Sequence, residues 1–156
     1  MNRRQLLLAT AITAAVAITA CSETTAPRQL APGGLSLARS GTFHVTKECS
    51  TYAGHAGDIC TITSSTLKEI EAGSRVVYAS DAVGASLDTD VRLDPPGPGS
   101  NAAFGHCTIH LDTGIGACDF SGGTGKFTWF HANVAVSYLG GPNFAWDGTY
   151  SFGPSD

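Results

Sequence analysis

An all-β fold, an antiparallel barrel of about eight strands, is predicted by three features of the 156-residue chain. Apolar and polar residues alternate with period two in stretch after stretch beyond position 41, as strands with one buried face require. Glycine-containing breaks separate most of these stretches, and 19 glycines are at hand for the tight turns of hairpins. No long amphipathic helix is present to cover a flat sheet, so closing the sheet on itself is the direct way to remove its edges.

The amino terminus stands apart from that pattern. Positions 1–21 read MNRRQLLLATAITAAVAITAC: two arginines, sixteen uncharged and mainly apolar residues, then a cysteine. The run falls short of the roughly 20 residues that span a bilayer comfortably. Small residues sit just before the cysteine, as an export peptidase requires, so 1–20 is predicted to be a signal helix. "ITAC" at 18–21 resembles the bacterial lipobox, and that resemblance implies a diacylglycerol thioether on Cys21, which becomes the new amino terminus. Several acyl chains on one residue make a durable membrane anchor. The expected address is the bacterial cell envelope. Ser22 rather than an aspartate follows Cys21, which favours the outer membrane in a Gram-negative cell. "NRRQLL" also resembles a twin-arginine signal without its usual serine and phenylalanine, so the export route stays open.

The lipidated cysteine and a linker occupy 21–40. This segment is rich in Thr, Ala, Pro, Gly and Ser and has no apolar period, which suits a flexible tether. The folded domain is expected over 41–156. Its first strand is 42–48, with Phe43 and Val45 on one face and Thr42, His44 and Thr46 on the other. Further strands are expected at 58–65 and 75–80. Ala85, Leu87, Val91 and Leu93 then oppose Ser86, Asp88, Asp90, Arg92 and Asp94. Strands follow at 102–111 and 115–120. Phe130, Ala132, Val134, Val136 and Tyr138 oppose Trp129, His131, Asn133, Ala135 and Ser137, and Phe144, Trp146, Tyr150 and Phe152 share the last face. Only 65–73 reads as briefly helical, one turn of a connector at that length. The proline-rich stretch 93–101 is a loop that no strand interior tolerates.

Setting Cys21 aside leaves four cysteines, an even number that suggests disulfides in an exported protein. Cys49 and Cys60 are eleven positions apart, as are Cys107 and Cys118. A two-residue turn closed by 111 and 114 sets Cys107 directly opposite Cys118, so the expected pairing is 49 with 60 and 107 with 118. Paired cysteines leave no thiolate for nucleophilic catalysis. Five histidines raise the alternative of a metal site: His106 and His110 share a strand face, and His131 joins them if its strand is near. Neither CxxC nor HExxH occurs, and nothing in the sequence calls for a cofactor.

SGGTGKFTWFHANVAV, at 121–136, tests the phosphate-loop alternative. Gly125 and Lys126 are followed by Phe127 rather than Ser or Thr, and position 120 is Phe rather than Gly. Glycine here is expected to shape turns or bulges. "GGTGKF" at 122–127, leading into a long strand, resembles the Gly-Gly-Thr-Gly-x-Phe segment of dirigent proteins and the related allene oxide cyclase-like barrels, over about 105–139. The resemblance implies an eight-stranded antiparallel barrel with an apolar cavity. Thr128, Trp129 and Phe130 stand where dirigent proteins carry arginine and further glycine, so it transfers a scaffold and no functional carboxylate.

Charge narrows the partners. From Gly41 onward five Lys and Arg face twelve Asp and Glu, a net charge of −7, which disfavours nucleic acid. The leading expectation is a lipid-anchored binding or structural module, with a barrel able to hold a small apolar ligand. The alternatives are a dirigent or cyclase-like isomerase, and metal capture by histidines. The candidate cavity residues are His106, His110, His131 and Asn133, provided they face the lumen. Asp88, Asp90 and Asp94 with Arg92 are read as a solvated strand face, and Trp129 and Trp146 as core or pocket lining.

Overall fold

In a computed structural model of the chain, residues 39–153 are described; the signal segment, Cys21 and the tether up to 38 lie outside them. Eight strands follow one another: β1 (Arg39–Glu48), β2 (Ile59–Ser65), β3 (Arg75–Tyr78), β4 (Ser86–Asp94), β5 (Ala102–His110), β6 (Ile115–Thr124), β7 (Phe130–Gly140) and β8 (Asn143–Phe152). Each pairs antiparallel with the next, and β8 returns to β1 over the full length of both, from Arg39 opposite Phe152 to Glu48 opposite Asn143. The sheet is therefore a closed barrel with no exposed edge. The strand count, the antiparallel pairing and the closure agree with the sequence reading. β1 starts at Arg39, three residues before the expected strand start at 42.

Alternation explains which side chains fill the barrel. Phe43 and Val45 of β1, Leu87, Val91 and Leu93 of β4, Phe130, Ala132, Val134 and Val136 of β7, and Trp146 of β8 are all buried. The interior is aromatic at its centre: the Phe120 ring lies 5.5 Å from Trp146 and 6.0 Å from Phe130, and Phe127 lies 5.3 Å from Phe130. Thr89 is the polar member of the β4 inward face, and its hydroxyl accepts from the backbone N–H of Ala79 and Ser80. Two expected inward residues differ. Ala85 precedes β4 and is exposed, and Tyr138 emerges at the rim, where a register shift between Tyr138 and Gly140 ends the regular pairing.

Tight coiling demands glycine at some inward positions. A Cβ on Gly148 would lie 2.0 Å from the Asn133 carbonyl oxygen across the β7–β8 pair, so only glycine lets these strands bend so closely. β6 runs to Thr124, past the expected end at 120, and the glycine segment then turns as expected, in one 3-10 turn, Gly125–Phe127, with positive φ at Gly122 and Gly125. That turn drives Phe127 completely into the barrel. The 65–73 connector holds turns rather than a helix. Ile70 N–H donates to Leu67 O at 3.0 Å, and both side chains are buried beneath the connector.

Both expected disulfides are present. Cys107 and Cys118 are register partners in the β5–β6 hairpin with Cα atoms 4.1 Å apart. Cys49 and Cys60 join the end of β1 to β2 at 4.3 Å.

Candidate functional site

Strand register aligns polar side chains across the outside of the barrel. Asp90 faces His106, His106 faces Asp119, Asp119 faces Asn133, Asn133 faces Thr149 and Thr149 faces Thr42. The row crosses six strands from β4 to β1. Side-chain hydrogen bonds join two of its neighbouring pairs, Asp90 with His106 and Asp119 with Asn133. His106 bridges two carboxylates, with Nδ1 2.9 Å from Asp90 and Nε2 2.6 Å from Asp88, and Asn133 donates from Nδ2 to Asp119. The hydrogen bond that His106 donates to Asp90, reinforced by the one to Asp88 and the charge of both carboxylates, holds the His106 imidazolium above its ordinary pKa. Two shallow grooves of about 720 and 590 Å³ lie along this row and meet at Asp119. The second is edged by the half-exposed ring of Phe104.

The four candidate cavity residues accordingly sit outside the lumen. His106, His110 and Asn133 are exposed, and His131 is half-buried beside Ser121 and Ser151. The reason is parity: Cys107 and Cys118 point inward, so their neighbours on each strand point out. Nor are the histidines brought together. Four residues along a strand separate His106 from His110 by roughly 13 Å, too far to share an ion. Among the described residues no group of three or more His, Cys, Asp or Glu is arranged to hold a metal. Asp94 pairs with Arg92 at 2.7 Å. Trp146 is core, whereas Trp129 is exposed.

Inside the barrel the structure places a residue the sequence reading did not single out. Lys47 is 1% exposed and points inward beside Val45. Its Nζ donates to the Tyr78 hydroxyl at 2.7 Å and lies 4.4 Å from the centre of the Trp146 ring. The Tyr78 oxygen is in turn 3.4 Å from Cys60 Sγ. Burial without a carboxylate partner pushes the Lys47 pKa down to about 7, and burial drives the Tyr78 phenol well up. Near neutrality Lys47 is thus divided between ammonium and amine, and the amine is chemically a base and a nucleophile. Period-two alternation from Phe43 through Val45 does put position 47 inside; the residue type concealed it.

Fold and site together define a closed, eight-stranded antiparallel barrel with two disulfides, a filled interior and a polar outer belt, an architecture compatible with a binding or structural module. No protein-family model, curated protein or solved structure matches the chain.

Proposed function

We propose that this protein is a lipid-anchored module of the bacterial cell envelope, held by Cys21 and working as a binding or structural element through the outside of its barrel. One observation carries the second half of that reading: the protein's own Phe120, Phe127, Phe130 and Trp146 occupy the interior. A small apolar ligand in the lumen would have to displace those rings. The outer row from Asp90 to Thr42 instead offers grooves with hydrogen-bonding groups already oriented. That row is also the opposite of the apolar band that a membrane-spanning barrel presents to lipid, so attachment through the tether fits better than insertion. The dirigent or cyclase-like alternative rests on the resemblance at 122–127 and is weakened by the outward position of its candidate residues His106, His110, His131 and Asn133. The anchor is tested by Cys21→Ser. Release of the protein from the membrane fraction is the expected result, and unchanged retention overturns the anchored reading.

A further inference from the structure

The two ends of the barrel differ in charge. Because the strands meander, the chain enters at Arg39 on the end that also carries the β2–β3, β4–β5 and β6–β7 connections. Every described lysine or arginine except the buried Lys47 lies toward this end: Arg39, Lys68, Arg75, Arg92 and Lys126. Its described acids are each engaged by a cation, Glu69 by Arg39 at 2.8 Å, Glu71 by Lys126 at 2.6 Å and Asp94 by Arg92 at 2.7 Å. Lys68 and Arg75 remain exposed with no ion pair among the described residues. The far end is acidic, with Glu48, Asp58, Asp81 and Asp112 and no described exposed Lys or Arg.

A tryptophan stands on the basic end. Trp129 is 58% exposed and is the one described non-glycine residue with positive φ, at 63°. The 3-10 turn buries Phe127, and the left-handed turn at Trp129 then projects this ring outward before Phe130 re-enters the core. Gly153 N–H donates to the Trp129 carbonyl at 3.0 Å and fixes the turn. A core-directed fold has no need for a strained, solvent-facing indole, and such strain marks places where a residue is presented to a partner.

We propose that this end of the barrel docks on an anionic lipid surface, with Trp129 seated at the headgroup level and Lys68 and Arg75 supplying the attraction. Tryptophan suits that position because its ring is apolar while its N–H needs a polar partner. Charge complementarity selects an anionic leaflet for the basic end and turns the acidic end away from it. The inference rests on the anchored reading only in taking the lipid to lie where the tether enters.

The test reads tryptophan emission from the full chain bound to vesicles of phosphatidylglycerol and phosphatidylcholine with brominated acyl chains. Trp146 is buried and gives a constant background, so the signal is the difference between the wild type and Trp129→Phe. Docking predicts bromine quenching of Trp129, weakened by raised salt. In Lys68→Gln/Arg75→Gln the docked-to-free ratio falls about 30-fold, roughly fivefold for each cation removed near an anionic surface. Unquenched Trp129 in chain that is bound to these vesicles overturns the proposal. If the chain fractionates as soluble, the anchored reading fails by itself; the same vesicles added to soluble chain then still quench Trp129 if docking is real, and absence of quenching there overturns it.

Discussion

Lys47 governs how single residues set the pH response of this barrel. Its pKa falls from an ordinary 10.5 to about 7 on folding. Between those values the unfolded chain binds the extra proton, so stability is lowest below pH 7 and rises as pH increases. The slope attributable to Lys47 is about 1.4 kcal/mol per pH unit from pH 7 toward 10. Lys47→Met keeps the volume and removes the charge, and is expected to stabilise the protein at pH 7 by roughly 1–4 kcal/mol, as replacing a buried charge commonly does. Urea melts at pH 7, 8 and 9 check both points, and wild-type and variant curves that stay parallel would contradict them. His106 has the opposite sign. Its pKa is raised by Asp90 and Asp88, so its small contribution is fully present below the ordinary imidazole value and is lost as pH climbs through the raised one. Asp90→Asn should lower the His106 pKa in an NMR titration. The sequence held the orientation of both residues in its parity. What it lacked was the surroundings: nothing local states that position 47 meets Tyr78 and Trp146, or that position 106 sits between two carboxylates from β4.

Elements were legible where alternation and turn spacing acted together. The β5–β6 hairpin follows from the spacing of Cys107 and Cys118 around a turn, and the register pairs them as expected. Closing that short loop stabilises by about 3 kcal/mol through the unfolded state. Cys107→Ala/Cys118→Ala should therefore lose about that much in denaturant titration without rearranging the strands, because backbone pairing continues on either side. Gly148→Ala is predicted to be harsher, at least about 3 kcal/mol, since the new methyl meets the Asn133 carbonyl rather than a movable side chain. Circular dichroism melts of the two variants rank them. The turn before β7 was legible in its glycines, whereas the inverted backbone at Trp129, expected on the strand with His131 and Asn133, was not. Local pattern favours strand from Trp129 onward, and burial of Phe127 under the barrel end overrides it there.

The whole molecule is closed, yet its seams are unequal. β1 and β8 pair along ten residues each, whereas β3 is four residues long and meets β2 in three register pairs, Ile59 with Val77, Cys60 with Val76 and Thr61 with Arg75, continued at either end by backbone hydrogen bonds of Tyr78 with Gly57 and Asp58 and of Ile62 with Gly73 and Ser74. With only three register pairs to β2 and four to β4, the shortest strand gives up the fewest backbone hydrogen bonds on leaving, so the barrel opens first at β3. The Cys49–Cys60 bond fastens β2 to the end of β1, so β3 is the strand free to leave. Tyr78 would leave with it, taking away the hydroxyl that Lys47 donates to and admitting water to the amine. Opening the seam therefore relieves the desolvation of Lys47, and charging Lys47 promotes opening. Hydrogen exchange followed by mass spectrometry should show β3 peptides exchanging from a lower-energy opening than those of β7 and β8. After correction for intrinsic rates, that gap should widen as pH falls through 7. Lys47→Met should slow exchange in β2 and β3 while leaving β7 and β8 to follow global stability; uniform protection around the barrel, or a seam indifferent to the substitution, would show that Lys47 and the β2–β3 contact are not coupled.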